Sequence, residues 1–393
     1  MKTNHLLNAI LASLALLAAG CSSVTYYYKI PTQGCVPSST QEYAYALTGY
    51  SVSMYAVEPC SGNFNPTHPA TIAAGGVSPD NPAEQMVADP GGRFAYVANL
   101  ISNASDLATI SMYTIDSKTG VLTATTPATV PTGFFPQGIA IDPAGKFVYT
   151  ANSDDNTVSM FTINQTTGVL SPTTPAVVSI GAGTSPISVT VDPTGKFAYV
   201  ANQDNNTISM FTINSTTGVL TATTPATVAT GFSPFGIAVS PNGKFAYVPN
   251  SGSGGTITNG VSQYTINSTT GVLTPNTPAA VAAGNEPTAV AVDPTNKFAY
   301  VVNRLDNTVS MYTINPTTGN LILNSTTKNP NGTISTGTQP YRIGFDPSGL
   351  FLYVTNEQSA ASIYTVNNDG TLSHAWETGP ATGALSIAIT AVK

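Results

Sequence analysis

Seven copies of one aromatic strand run through this chain and use up nearly all of it. They centre on Tyr45, Tyr96, Tyr149, Tyr199, Tyr247, Tyr300 and Tyr353, at steps of 48 to 53 residues. Two of the middle copies read Phe147-Val148-Tyr149-Thr150-Ala151-Asn152 and Phe197-Ala198-Tyr199-Val200-Ala201-Asn202. A repeat of this length with several short strands per unit means a propeller or an array. The 393 residues would otherwise suggest two or three domains, but seven such units form one body.

The unit from Gln137 to Thr184 shows how each repeat is built. Gln137-Gly138-Ile139-Ala140-Ile141 is a short apolar run that reads as a buried strand. Asp142-Pro143-Ala144-Gly145-Lys146 follows; Pro fixes φ and Gly supplies a positive φ, so this is a tight turn. The aromatic strand comes next, with large residues on both faces, as expected of a strand covered on both sides. A polar turn, a third strand from Val158 to Ile163 and a fourth, Thr- and Pro-rich strand complete the unit. Pro and polar residues suit an outer edge.

Four antiparallel strands per unit make a propeller blade. The first copy lacks an innermost strand, and Ser386-Ile387-Ala388-Ile389-Thr390 at the far end matches the missing one. The expected fold is therefore all-β: a seven-bladed β-propeller spanning 43–393, closed by the C-terminal strand completing blade 1.

Charged residues are 8% of the chain, and the net charge is −7. With no basic stripe, nucleic acid is not an expected partner. The N-terminus reads as a targeting segment. Lys2 precedes an apolar run from Leu6 to Leu17, too short for a membrane span. Leu17-Ala18-Ala19-Gly20-Cys21-Ser22 resembles a bacterial lipobox, which implies a signal peptide over 1–20, lipidation of Cys21, and a linker over 21–42. An ordinary signal peptide is the alternative; either reading exports the protein, as an outer-membrane or periplasmic lipoprotein under the resemblance, with Ser22 pointing to the outer membrane. Cys35 and Cys60 remain, and an oxidising compartment favours a disulfide between them over two buried thiols.

The pattern Asp-Pro-x-Gly-Lys-Phe-x-Tyr-Val-x-Asn, with Tyr353-Val354-Thr355-Asn356 as its most literal copy, resembles two related groups. One is the surface proteins named for Tyr-Val-Thr-Asn repeats. The other is the lactonase-type propellers, typified by 6-phosphogluconolactonase. In the latter the resemblance implies chemistry at the channel, where inner strands often begin Pro-Arg-His. The positions matching that His are Gln85, Gly138, Ser188, Gly236, Ala289, Arg342 and Ser386, and none is His. Arg342, as anion or oxyanion partner, and Glu84, as general base, are the expected catalytic pair. Gln85, Gln137, Phe135, Phe235, Tyr341, Arg304 and Glu286 are expected around a ligand at the same mouth, with Phe134 and Phe232 beside them.

The mouth face would also carry Asp80, Asp106, Asp154, Asp155, Asp204, Asp306 and Glu357, and the opposite face Arg93, Lys146, Lys196, Lys244 and Lys297. Such Asp and Asn residues also serve left-handed turns. No cofactor is expected. Calcium at Asp154-Asp155-Asn156 or Asp204-Asn205-Asn206 is an alternative that lacks a full ligand count. His68 and His374 fall on outer strands, and no Ser-His-Asp set is credible. The leading expectation is an exported, lipid-anchored, monomeric binding or scaffold module acting on a small molecule or protein at its acidic, aromatic channel face. The alternative is a lactone hydrolase in the channel.

Overall fold

The computed structural model describes residues 41–75, 83–100, 108–252, 260–327, 329–376 and 383–392. Val36–Lys393 form one compact unit. Its strands make seven separate antiparallel sheets, each running from an inner to an outer strand. Innermost are Ser386–Ala391 in blade 1, Ala83–Ala88 in blade 2, Pro136–Ile141 in blade 3 and Pro186–Val191 in blade 4. Ala238–Val239, Pro287–Val292 and Pro340–Phe345 follow in blades 5, 6 and 7. The C-terminal strand pairs along the whole of Glu42–Leu47, from Leu47 opposite Ser386 to Glu42 opposite Ala391. The ring is thus closed by the two ends of the propeller chain, as the missing strand in the first repeat predicts.

The aromatic strand stands second in every blade, and all six of its residues are buried in all seven copies. Burying a hydroxyl costs free energy unless it is hydrogen-bonded. Each central Tyr meets that requirement in the next blade. Tyr45 donates to Gly120 O, Tyr96 to Gly168 O, Tyr149 to Gly218 O and Tyr199 to Gly271 O. Tyr247 donates to Gly319 O, Tyr300 to Gly370 O and Tyr353 to Gly62 O, the last across the closure. All seven bonds lie between 2.7 and 3.1 Å. The accepting glycines occupy the tight turns between strands three and four, so blade contact and turn conformation are set by one residue.

The Asp-Pro turns also have a defined task. The Asp carboxylate accepts the backbone N–H of the Phe that opens the aromatic strand, as in Asp192 to Phe197 at 2.8 Å and Asp142 to Phe147 at 2.6 Å. Blade 5 has Ser240 in this place, and its hydroxyl accepts from Phe245 at 2.9 Å.

Two blades depart from the four-strand plan. The inner strand of blade 5 has shrunk to two residues, with Pro234 bridging separately to Asn250. The outer strand of blade 6 is split into Leu321–Leu323 and Thr333–Ser335, both pairing with Thr308–Ile314. Asn-Gly at 331–332 and the polar run around it interrupt the regular outer-strand pattern there.

Candidate functional site at the channel mouth

A β-bulge opens most of the inner strands. Pro136 faces Asn152, but Gly138 faces Ala151, so one residue is left over between them. The same slip falls between Ala83 and Gln85, Pro186 and Ser188, and Pro287 and Ala289. In blade 7 it falls between Pro340 and Ile343. A bulge re-aims side chains at the rim of a sheet. Here it re-aims Glu84 in blade 2 and Tyr341 and Arg342 in blade 7. Blades 7 and 2 flank blade 1, so these residues approach each other across the closing strand.

Arg342 is half-buried. Its guanidinium lies 5.0 Å from the Tyr341 ring centre and 5.7 Å from that of Phe235, and the two rings meet edge to face at 5.5 Å. Two aromatic faces hold a cation without using its N–H donors. Its backbone N–H donates to Thr355 Oγ1, and Thr288 Oγ1 donates to Tyr341 O, fixing the segment from both neighbouring elements. Nε of Arg342 is buried with no hydrogen-bond partner, and its guanidinium makes no ion pair among the described residues. Below it the channel encloses about 400 Å³, walled by Arg342, Gln85 and Ser188 at one end and aliphatic residues such as Ile139 and Ile387.

Burial pushes the Glu84 carboxyl above its usual range; Arg342 opposes that shift and Glu357 adds to it. Burial also raises the Tyr341 phenol, with the charges of Arg342, Glu84, Glu357 and Arg304 acting on it. These five groups therefore form one electrostatic cluster. Arg304 is committed elsewhere: it binds Glu286 at 3.0 Å and Glu357 at 2.7 Å.

The remaining expected residues divide. Gln85 lines the channel, and its side-chain oxygen accepts from Ile139 N. Gln137 donates weakly to Ser153 Oγ at 3.5 Å. Phe135 stands at φ 54° and spends its carbonyl on Ser153, so it serves the loop backbone, while Phe134 and Phe232 are exposed to solvent. Of the expected aromatic cluster, the structure brings Phe235 and Tyr341 to the cation. Glu286 pairs with Arg304 as part of the rim. Glu357, read from sequence only as a rim carboxylate, is the residue that joins Arg304 to the cluster; its place directly after the blade-7 Asn356 was the available signal.

Asp155 accepts from Phe134 N at 2.7 Å and Asp306 from Asn285 N at 2.7 Å, which are loop-building contacts. Among the described residues no three His, Cys, Asp or Glu side chains gather to hold a metal. Cys60, in the turn after Ser51–Val57, is disulfide-bonded. Cys21 and Cys35 lie outside the described residues, as do Asp80 and Asp106. His374 sits on an outer strand 3.2 Å from Ser335 Oγ, far from the channel-lining residues in the blade order.

Fold and mouth together define a closed seven-bladed propeller with one aromatic-flanked arginine lining its channel and an uplifted carboxyl in the bulge next to a channel-lining residue. The model of the seven-bladed β-propeller lactonase family matches residues 35–183, 176–232, 221–334 and 275–387. The chain belongs to that family. No curated protein matches it. Among solved structures, it resembles a Bacteroides fragilis protein proposed as a 6-phosphogluconolactonase, at 20% identity and a TM-score of 0.72, over 91% of this chain and 99% of the other. A similar Bacteroides uniformis protein matches at 20% and 0.69, over 90% and 100%. The periplasmic gluconolactonase of Pseudomonas aeruginosa matches at 18% and 0.68, over 90% and 100%. At such identities these likenesses speak for the fold.

Proposed function

We propose that this protein is a lactone hydrolase acting at the channel mouth. Family membership favours hydrolysis over the binding or scaffold role that the acidic, aromatic channel face without a histidine first suggested. The observation that carries the reading is Arg342: a cation held by two rings, with a buried unpaired donor, beside a carboxyl whose proton affinity is raised.

The chemistry needs few groups. Glu84, as carboxylate, takes a proton from a water molecule, and the water oxygen bonds to the lactone carbonyl carbon. The carbonyl oxygen becomes an oxyanion, which the Arg342 guanidinium stabilises more strongly than it stabilises the neutral carbonyl. The ring C–O bond then breaks, and the leaving oxygen regains a proton from the Glu84 carboxylic acid. A carboxyl shifted toward neutrality is better matched to this shuttle than an ordinary one. The raised Tyr341 phenol keeps its proton and can orient substrate as a donor. No histidine is required.

The test uses the chain beginning at Ser22 and a panel of lactones, with spontaneous hydrolysis subtracted. The propeller's strands all lie between Glu42 and Ala391, so this chain keeps the whole ring. Turnover should fall about 100-fold or more in Glu84→Gln and by a similar factor in Arg342→Ala. On the acid side, kcat/KM should decline at a pH above the ordinary carboxylate range. No turnover on any lactone, or an Arg342→Ala variant as active as the parent, would defeat the proposal.

We place the enzyme in the cell envelope, anchored through Cys21, with Cys35 as the partner of Cys60 and the propeller acting as a monomer. The lipobox-like segment and the bonded state of Cys60 support this address. Membrane fractionation of the full chain against Cys21→Ser tests it: a variant that stays with the membrane would reject the anchor. Intact mass with and without reductant tests the pairing.

A further inference from the structure

We infer that the mouth selects an uncharged, hydroxylated lactone and rejects a phosphorylated one; this rests on the hydrolase reading above. The argument is a balance of charges at named positions. Glu84, Glu286 and Glu357 bring three carboxylates to the cluster, against Arg304 and Arg342. Arg304 already gives one terminal nitrogen to Glu286 and the other to Glu357. That leaves Arg342 as the mouth arginine with no carboxylate partner among the described residues.

A phosphorylated lactone makes two demands. Its carbonyl needs a positive partner as the oxyanion forms, and its phosphate dianion needs cations or clustered N–H donors of its own. Arg342 cannot serve both ends of an extended ring and side chain. If it holds the carbonyl, the phosphate faces the carboxylates of Glu357 and Glu286. If it holds the phosphate, the oxyanion forms beside Glu84 with no partner.

The wider rim offers no relief. Asp154, Asp155, Asp204 and Asp306 stand at this end of the strands, in the loops after the aromatic strands. Lys146, Lys196, Lys244 and Lys297 all open aromatic strands at the opposite end, where Ile141 pairs with Val148 and Val191 with Ala198. Like charges a few ångströms apart in partly buried surroundings repel strongly enough to change affinity by an order of magnitude or more.

The experiment compares D-glucono-δ-lactone with its 6-phosphate, using the chain beginning at Ser22 and subtracting the spontaneous rates. The unphosphorylated lactone should be favoured at least about tenfold in kcat/KM, chiefly through KM, and the ratio should shrink with added salt because screening weakens charge repulsion. Glu357→Gln removes one carboxylate and releases one arm of Arg304, so it should narrow the ratio by lowering KM for the phosphate ester. Hydrolysis of both with the 6-phosphate preferred, or a ratio that neither salt nor Glu357→Gln moves, overturns the selectivity while leaving the hydrolase standing. Hydrolysis of neither overturns the selectivity, and the hydrolase as well if the rest of the lactone panel is also inert.

Discussion

At the scale of single residues, the repeat is held by pairs that the eye does not connect in the sequence. Tyr149 and Gly218 are 69 positions apart, yet the Tyr149 hydroxyl lies 2.8 Å from the Gly218 carbonyl. Gly218 sits at φ 74°, and a Cβ there would stand 2.4 Å from Cδ1 of Phe147. The residue must therefore be Gly for two reasons: its backbone conformation and the ring pressed against it. Tyr149→Phe should cost about 1 kcal/mol, the net worth of one hydrogen bond. Gly218→Ala should cost more, about 2–4 kcal/mol, from left-handed strain plus overpacking. Gly183→Ala is the internal control. Its φ is 70° but nothing lies within 4 Å of the added carbon, so only the backbone cost of about 1–2 kcal/mol applies. Denaturant midpoints for the three variants would separate these contributions, and equal losses at Gly218 and Gly183 would show that the Phe147 contact contributes nothing. The buried Asn ending the aromatic strands of blades 2 to 7, such as Asn202 bonded to Thr207 and Ser209, was visible as a repeated letter; its task as a side-chain brace to the third strand was not, because that partner is specified only by register.

At the scale of elements, the strand order and closure were legible because each rests on local pattern: apolar runs, Asp-Pro turns and a strand missing at one end and supplied at the other. The bulges were not, since an extra residue in a six-residue strand leaves the apolar pattern intact. Counting positions still aligned Glu84 with Tyr341, and both prove to be residues that the bulge displaces. The backbone of the aromatic loops was not legible either: Phe135, placed at the mouth by sequence, is in a left-handed conformation, and its carbonyl accepts from Ser153. The closing strand pair also carries a charge that no pattern revealed. Glu42 opens the strand Glu42–Leu47 and is 8% exposed. Burial, and secondarily the Asp346 carboxylate, push its acid up to about 7. The folded state therefore favours the protonated form. Relative stability from this group is fully present below the unfolded carboxylate range, declines as pH rises through about 7, and stays lower above it. Glu42→Gln should raise the melting midpoint by a few degrees at pH 8 and leave it nearly unchanged at pH 4. A stabilisation equal at both pH values would contradict this account.

At the scale of the whole molecule, closure and site occupy the same seam. The C-terminal strand stands between the inner strands of blades 7 and 2, so Arg342 and Glu84 face each other only while Ser386–Ala391 stays zipped to Glu42–Leu47. Among the described residues it is hydrogen-bonded to blade 2 where Met86 N donates to Ser386 Oγ and Thr390 Oγ1 to Asp89 O, both at 3.2 Å. Terminal strands are where local opening begins, so loosening this one should disturb the catalytic pair before it unfolds the ring. Ile387 and Ile237 allow a matched comparison, since each follows the corresponding inner-strand position, Ser386 or Gly236, and each lines the channel. Ile387→Ala loosens the seam; Ile237→Ala makes the same deletion in blade 5, outside the seam although two residues from Phe235. Both remove partly buried methylenes and should cost similar stability, about 1–3 kcal/mol. Ile387→Ala should in addition lower kcat/KM for the preferred lactone several-fold more than Ile237→Ala, and faster exchange of the backbone amides of Glu42–Leu47 should accompany the loss. Equal kinetic losses in the two variants would mean that the channel wall as a whole, and not the seam, sets the geometry of Arg342 and Glu84.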